Sequence, residues 1–257
     1  MKIIAISDTH ADHVTAGVSR YQEVRGVLMA AMARALEVQA DLFVHAGDLC
    51  DPDSGPIVFE CIADAVRVAR TLEVHGIQSI WLAGNHCIAE TGRGTTVLDP
   101  LKALENAGDA IRNLVHVAAE PRIIGVRDDF TDRLAVCLPY PSAAGYIPSS
   151  FVKLLAAPAV ALTRESGRAG RVIVLAHLVV PGLLPGEESG EMARGKDVML
   201  PDEELVKLAP DIVICGHHHR SQKFRTKAGL DVQVIGAAAR FTFGEQDHSP
   251  GYLEIAL

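Results

Sequence analysis

The chain has 257 residues, 49% of them hydrophobic and 22% charged, which excludes a disordered chain and suffices for a large core in one domain, residues 1–257. Its formal net charge of -8 argues against a non-specific nucleic-acid binder, although carboxylates that hold divalent cations count here as bare negative charge. Five cysteines without a C-x-x-C pair imply neither a disulfide framework nor a zinc knuckle, and no stretch reaches the length of a membrane span.

In chain order, the first apolar run is Lys2–Ile6. It opens the sequence without a signal-peptide pattern, so the expected location is cytoplasmic and no membrane is involved. Helical periodicity covers Tyr21–Val38, followed by a strand at Leu42–His45, a helix at about Pro56–His75 and a strand at Ser79–Leu82. A helix is expected at Thr96–Ala107 and strands at Leu134–Leu138 and Arg171–Ala176. Pro181–Gly195, rich in Gly, Pro and Glu, reads as a long mobile loop. A helix at Pro201–Leu208 and strands at Ile212–Cys215, Val232–Ile235 and Tyr252–Leu257 complete the series. Short runs of near-continuous hydrophobicity are strands buried on both faces. Their alternation with helices predicts an α/β fold, sheet covered by helices.

Polar residues collect where these strands end. Ser7-Asp8-Thr9-His10 follows the first, Ala46-Gly47-Asp48 the second and Ala83-Gly84-Asn85-His86 the third. Ala176-His177 and Cys215-Gly216-His217-His218-His219 close two later ones. Ligands gather at the carboxyl ends of strands in open α/β sheets, so these segments can converge. Each alone reads more simply as a helix cap or turn. Five in succession do not. Asp8, His10, Asp48, Asn85, His177, His217 and His219 are too many ligands for one ion and suit two that share a bridge. Mixed carboxylate, amide and imidazole donors fit Mn2+, Fe2+ or Zn2+. Glycines before Asp48, Asn85 and His217 allow tight turns and close approach to an ion or phosphate.

The series Asp8-x-His10, Gly47-Asp48, Gly84-Asn85-His86, His177 and Gly216-His217-x-His219 resembles that of the calcineurin-like metallophosphoesterases. The resemblance implies a two-sheet mixed β-sandwich flanked by helices. It implies one ion on Asp8, His10 and His219, a second on Asn85, His177 and His217, Asp48 as the bridge, and His86 as a general acid. Within that superfamily, His45–Asp51, Leu138–Ser142, Arg240–Glu245 and Gly251-Tyr252 resemble the nuclease subunit of the SbcCD complex and its eukaryotic counterpart in DNA repair. That resemblance implies an exonuclease or endonuclease core using two divalent ions, Mn2+ first, with DNA as substrate.

Two departures stand out. Cys87 replaces the usual Asp after the Asn-His pair, removing a carboxylate near His86. The chain stops soon after its terminal strand, without the usual capping domain and ATPase-binding segment, so an SbcC-like ATPase partner is not carried over. Oligomeric state is not set by the sequence, and a homodimer is compatible with it. The rival reading is a phosphatase or phosphodiesterase of nucleotides or other small phosphoesters; a rival of another class is an inactive metal-binding scaffold. His13, His75, His116, His218 and His248 read as solvent-facing or locally bonded, and His45 as a residue that orients a ligand. The cluster Arg220, Lys223, Arg225 and Lys227 reads as a guide for a phosphate backbone or as a solvated strand face.

Overall fold

A computed structural model describes residues 1–89, 95–107, 113–126, 132–141, 147–165, 169–184 and 198–257. The expected loop Pro181–Gly195 lies outside these residues beyond Leu184, as does Ser142. The first strands are β1 (Lys2–Ile6), the two-residue pair β2 (Val14–Thr15) and β3 (Val18–Ser19), β4 (Leu42–His45), β5 (Gln78–Leu82) and β6 (Val115–Ala118). They are followed by β7 (Arg122–Val126), β8 (Asp132–Leu138), β9 (Ala169–Ala176), β10 (Ile212–Cys215), β11 (Gln222–Arg225), β12 (Asp231–Val234) and β13 (Leu253–Ala256). One sheet has the order β13-β1-β4-β5-β6, the other β11-β12-β10-β9-β8-β7. Both are mixed. In the first, β13 runs antiparallel to β1 and the rest are parallel; in the second, β7 and β11 run antiparallel at the two edges.

Burial on both faces explains why the central strands are continuously apolar. Side chains alternate across a strand, so each strand feeds two cores. Ile3, Ala5, Leu42, Val44 and Ile80 meet Ala135, Ile173, Leu175 and Ile214 between the sheets. Ile4, Ile6, Phe43 and Trp81 point the other way, toward helices α1 (Tyr21–Val38), α2 (Ile57–Val74) and α3 (Asp99–Ala107). Val136, Val174, Val213 and Val232 pack outward against the segment holding α4 (Pro148–Phe151) and α5 (Ala157–Thr163), and against α6 (Asp202–Leu205). The result is a four-layer sandwich of helices, sheet, sheet and helices, the predicted fold class. Each fully buried Val, Leu, Ile or Phe among them contributes roughly 1.5–3 kcal/mol relative to exposure. The buried indole of Trp81 is satisfied locally, its Nε1–H donating to Ser79 Oγ at 3.2 Å.

Some boundaries differ from expectation for visible reasons. The helix predicted from Thr96 starts at Asp99, because Thr96 acts before it: its N–H and hydroxyl both donate to the Asp99 carboxylate, each at 3.1 Å. Pro201–Leu208 divides into α6 and a 3-10 turn at Val206–Leu208. The helical run from Pro148 to Thr163 was hidden by two prolines. Pro148 sits at the first turn, where its missing N–H costs nothing, and the helix widens to π geometry over Val152–Ala156 just before Pro158. Helix α1 is fastened to α2 through buried Asp64, which accepts from Tyr21 Oη at 2.7 Å and Arg25 Nε at 2.8 Å. Among the described residues no helix is long and apolar enough to cross a membrane.

Candidate metal centre

The five polar segments continue the sheets rather than hanging from them. Asp8 N–H donates to the Gly47 carbonyl and His10 N–H to that of Asp48, both at 3.0 Å, extending the β1–β4 ladder. His177 N–H donates to Leu138 and Gly216 N–H to Ala176, also at 3.0 Å. Side chains placed on such backbone are pre-positioned. Strain accompanies the placement. Of seven non-glycine residues with positive φ among the described residues, four are Asp8, His10, Asp48 and His217, at 47°, 36°, 53° and 78°. Each such conformation costs about 1–3 kcal/mol and persists where its surroundings over-determine it.

All seven expected ligands come together. Asp8, His10 and His219 bring donor atoms within 4.8 Å of one another, and so do Asp48, His177 and His217. Asn85 Oδ1 lies 3.2 Å from His177 Nε2 and 3.1 Å from His217 Nδ1, which joins it to the second group. Asp48 stands between the two: its Oδ2 is 3.6 Å from His10 Nε2 and 3.2 Å from His177 Nε2. Its other oxygen, Oδ1, accepts the His86 backbone N–H at 2.8 Å. The Asp8 carboxylate is likewise aimed by one donor, the His217 N–H, at 3.0 and 3.1 Å from its two oxygens.

Hydrogen bonds on the far sides of the rings test whether a cation fits. Taken as a donor, His177 Nδ1 gives its proton to the Ala46 carbonyl at 2.7 Å, and His219 Nδ1 likewise faces Glu245 Oε1 at 2.6 Å. In their neutral forms both rings then present a bare Nε2 to the cluster. His219 Nε2 faces His10 Nε2 at 3.2 Å, and His177 Nε2 faces two oxygens. Acceptors facing acceptors in a buried place are satisfied by cations. Ionisation tells the same story. Burial pushes His10 down to about 3 and lifts Asp8 to about 6, the latter against the pull of His177 and His219. His177 goes the other way: burial disfavours its charge, but the carboxylates of Asp48 and Asp8 and the Ala46 carbonyl together outweigh that and raise it to about 9. The extra proton does for Asp48 what a divalent ion would do. The residues present therefore fit divalent metal.

The glycines act through space as much as through turns. A β-carbon on Gly47 or Gly84 would overlap the His177 ring, and on Gly84 also the Asp48 carboxylate; on Gly216 it would strike Ser7 Oγ and the Ala46 carbonyl. Of the three, Gly47 alone has a positive φ, 110°. Glu245, missed in sequence, completes the His219 contact from a one-turn helix at Phe243–Glu245. It is 1% exposed, and burial would raise it, yet His219 and the N–H groups of Phe241 and Thr242 hold it down at about 2. Its signal lay in the Arg240–Glu245 run, singled out for resemblance but given no role. A carboxylate behind a ligating imidazole typically accounts for 10–100-fold in metal affinity. Glu245→Gln keeps the shape and removes the charge, so calorimetry with Mn2+ should show binding at one site weakened by about that factor. Unchanged affinity at both sites would contradict this.

His86 faces a cleft of about 490 Å³, lined also by Asp12, His13, Asp51 and Phe241 together with members of the cluster. Its side chain is 48% exposed, Nδ1 is 3.9 Å from Asp51 Oδ2, and its ring packs edge-on to His10 at 4.9 Å. Asp51 thus places a carboxylate near His86 from another loop. Cys87 instead turns into the core, accepts the Leu49 N–H at 3.4 Å, and burial lifts its thiol to about 12. His45 lies below the site, stacked on Trp81 at 5.3 Å with Nε2 at 3.1 Å from Thr9 Oγ1, so it steadies the Asp8–His10 turn. His13 does more than face solvent: it lines the cleft, edge-on to Phe241 at 5.0 Å. His75 bonds locally to the Thr71 carbonyl at 2.8 Å, and His116 lies 3.5 Å from Glu105. Lys223 and Arg225 alternate with Gln222 and Phe224 on edge strand β11 and are exposed, as are Arg220 and Lys227.

Comparison with known proteins places this geometry. A dimetal phosphatase from Danio rerio shares 12% identity over 92% of this chain and 87% of its own, with a TM-score of 0.54. GAP50, the anchor in the inner membrane complex of Plasmodium, shares 13% over 98% of this chain and 76% of its own, with a TM-score of 0.52. At such identities both show likeness of fold alone. No curated protein matches the chain. The model of the calcineurin-like phosphoesterase family matches residues 1–221, from before Asp8 to beyond His219. The chain belongs to the calcineurin-like phosphoesterase family.

Proposed function

We propose that this chain hydrolyses phosphodiesters, DNA foremost, at a centre of two divalent ions, Mn2+ before Fe2+ or Zn2+. Asp8, His10 and His219 would hold one ion, Asn85, His177 and His217 the other, with Asp48 shared between them. Oxygen and imidazole donors without a thiolate favour those metals. Such ions acidify water and stabilise charge on a phosphoryl group. The chain's own contribution to bond breaking is His86. Its backbone N–H steadies Asp48 while its imidazole, half-exposed in the cleft, is left to protonate a departing alkoxide oxygen.

That division of labour within one residue is the observation that carries the reading, because a diester of an aliphatic alcohol needs a proton donor at its leaving group. The exposed basic strip from Arg220 along β11, starting one residue after His219, supports a polyanionic substrate. A second reading rests on the cleft itself: Asp12 and Asp51 line it and oppose a polyanion, which favours small phosphoesters. Turnover of linear DNA, a cyclic nucleotide and p-nitrophenyl phosphate compared in Mn2+ separates the two. We expect DNA to be cut in preference to the monoester. DNA left intact across salt concentrations, with rapid turnover of the cyclic nucleotide or monoester, would overturn the DNA assignment.

A further inference from the structure

The most exposed large hydrophobic side chain among the described residues is Phe243, at 86%. An exposed phenyl ring is ordinary on a loose loop, but the backbone that carries this one is pinned. It opens the one-turn helix Phe243–Glu245, which is closed by a capping box between Thr242 and Glu245. Glu245 is anchored in turn to His219 at 2.6 Å. Thr242, just before the ring, and Glu245, two residues after it, both line the cleft over the metal centre. The β2–β3 hairpin is tied to the same wall, since Thr15 Oγ1 donates to the Phe241 carbonyl at 2.8 Å, and it carries exposed Val14 and Val18. An exposed aromatic ring therefore stands on a pinned turn between two residues that line a cleft whose floor binds phosphate in the reading above.

We infer that Phe243 is a stacking platform for a planar group attached to the scissile or terminal phosphate, and that the group is a nucleobase. The inference rests on the proposed phosphoesterase centre and deepens it, since it makes the protein a reader of nucleotide units rather than of phosphoesters in general. A nucleobase presents a flat π-face irrespective of its sequence, so one exposed ring gives affinity without base selectivity. Phe243 makes no claim on the chemical step. It is a specificity residue, outside the metal cluster.

Calorimetric titration of the Mn2+-loaded protein with AMP and with ribose 5-phosphate isolates the base, because the two ligands share phosphate and sugar. Base–aromatic stacking of about 1–3 kcal/mol corresponds to roughly 5- to 150-fold, so AMP should bind tighter than ribose 5-phosphate by a factor in that range. Phe243→Ala should bring the ratio near one by weakening AMP alone, and Phe243→Trp should preserve it. The ring is exposed, so its loss leaves the core intact, and an unchanged affinity for ribose 5-phosphate verifies this. A ratio near one in the wild type, or the same ratio in Phe243→Ala, would overturn the inference. Failure of the DNA reading looks different: AMP discrimination that depends on Phe243 in a protein that leaves oligonucleotides uncut upholds the platform and removes DNA as the substrate.

Discussion

His86→Asn should slow DNA cleavage by about 10²–10⁴-fold while both ions stay bound, the range attributed to a positioned general acid. The alkoxide leaving group of DNA departs poorly without a proton, whereas p-nitrophenolate departs without one. Hydrolysis of bis-p-nitrophenyl phosphate should therefore fall far less in the same variant. His86 reaches the cleft from the turn that carries Asn85, and its side chain is half-exposed. His10, Asp48 and His86 also form a group whose donor atoms lie within 4.8 Å, which gives the experiment a second edge. Metal lost from His86→Asn would make this residue a ligand, and equal rates on DNA at saturating Mn2+ would reduce it to a turn former. His177→Asn serves as the contrast, because a changed ligand should weaken metal binding and impair both substrates.

Asp48→Ala should have the broader effect, disturbing both ions at once. Its Oδ2 is the atom that both groups approach, at 3.6 Å from His10 and 3.2 Å from His177, while Oδ1 takes the His86 N–H. Burial alone would favour a neutral Asp48, but His177 and His10 hold its pKa well below the usual carboxylate value, so a full negative charge is lost with it. A shared ligand contributes to charge stabilisation by each ion, several kcal/mol, so activity should fall on the order of 10³-fold or more. Metal analysis should find fewer than two ions per chain. Retention of both ions with undiminished activity would show that the bridge lies elsewhere.

The layered fold was legible because the central strands β1, β4 and β10 are continuously apolar and end in short polar turns. The runs β1, β4, β5, β9 and β10 also predicted where Asp8, Asp48, Asn85, His177 and His217 would meet. Other elements carried no such signature. Strand β11 alternates Gln, Lys, Phe and Arg at a sheet edge, so its pattern is that of a half-solvated surface. Helices α4 and α5 were masked by Pro148 and Pro158. Within the site, sequence could show which residues follow strands, but could not show what lies behind them. Glu245 reaches His219 across 26 residues, and Asp51 approaches His86 from a different loop. Gly84 serves close approach, but to protein atoms: it makes room for Asp48 and His177, and its φ is not positive.

The central claim is that the cluster from Asp8 to His219 is a two-ion hydrolytic centre. Its most direct test is metal content measured alongside phosphodiesterase activity as Mn2+ is titrated into chelator-treated protein. The account predicts two ions per chain, with cleavage of DNA and of bis-p-nitrophenyl phosphate rising as the second ion binds. Full activity in protein that holds one ion or none would contradict it.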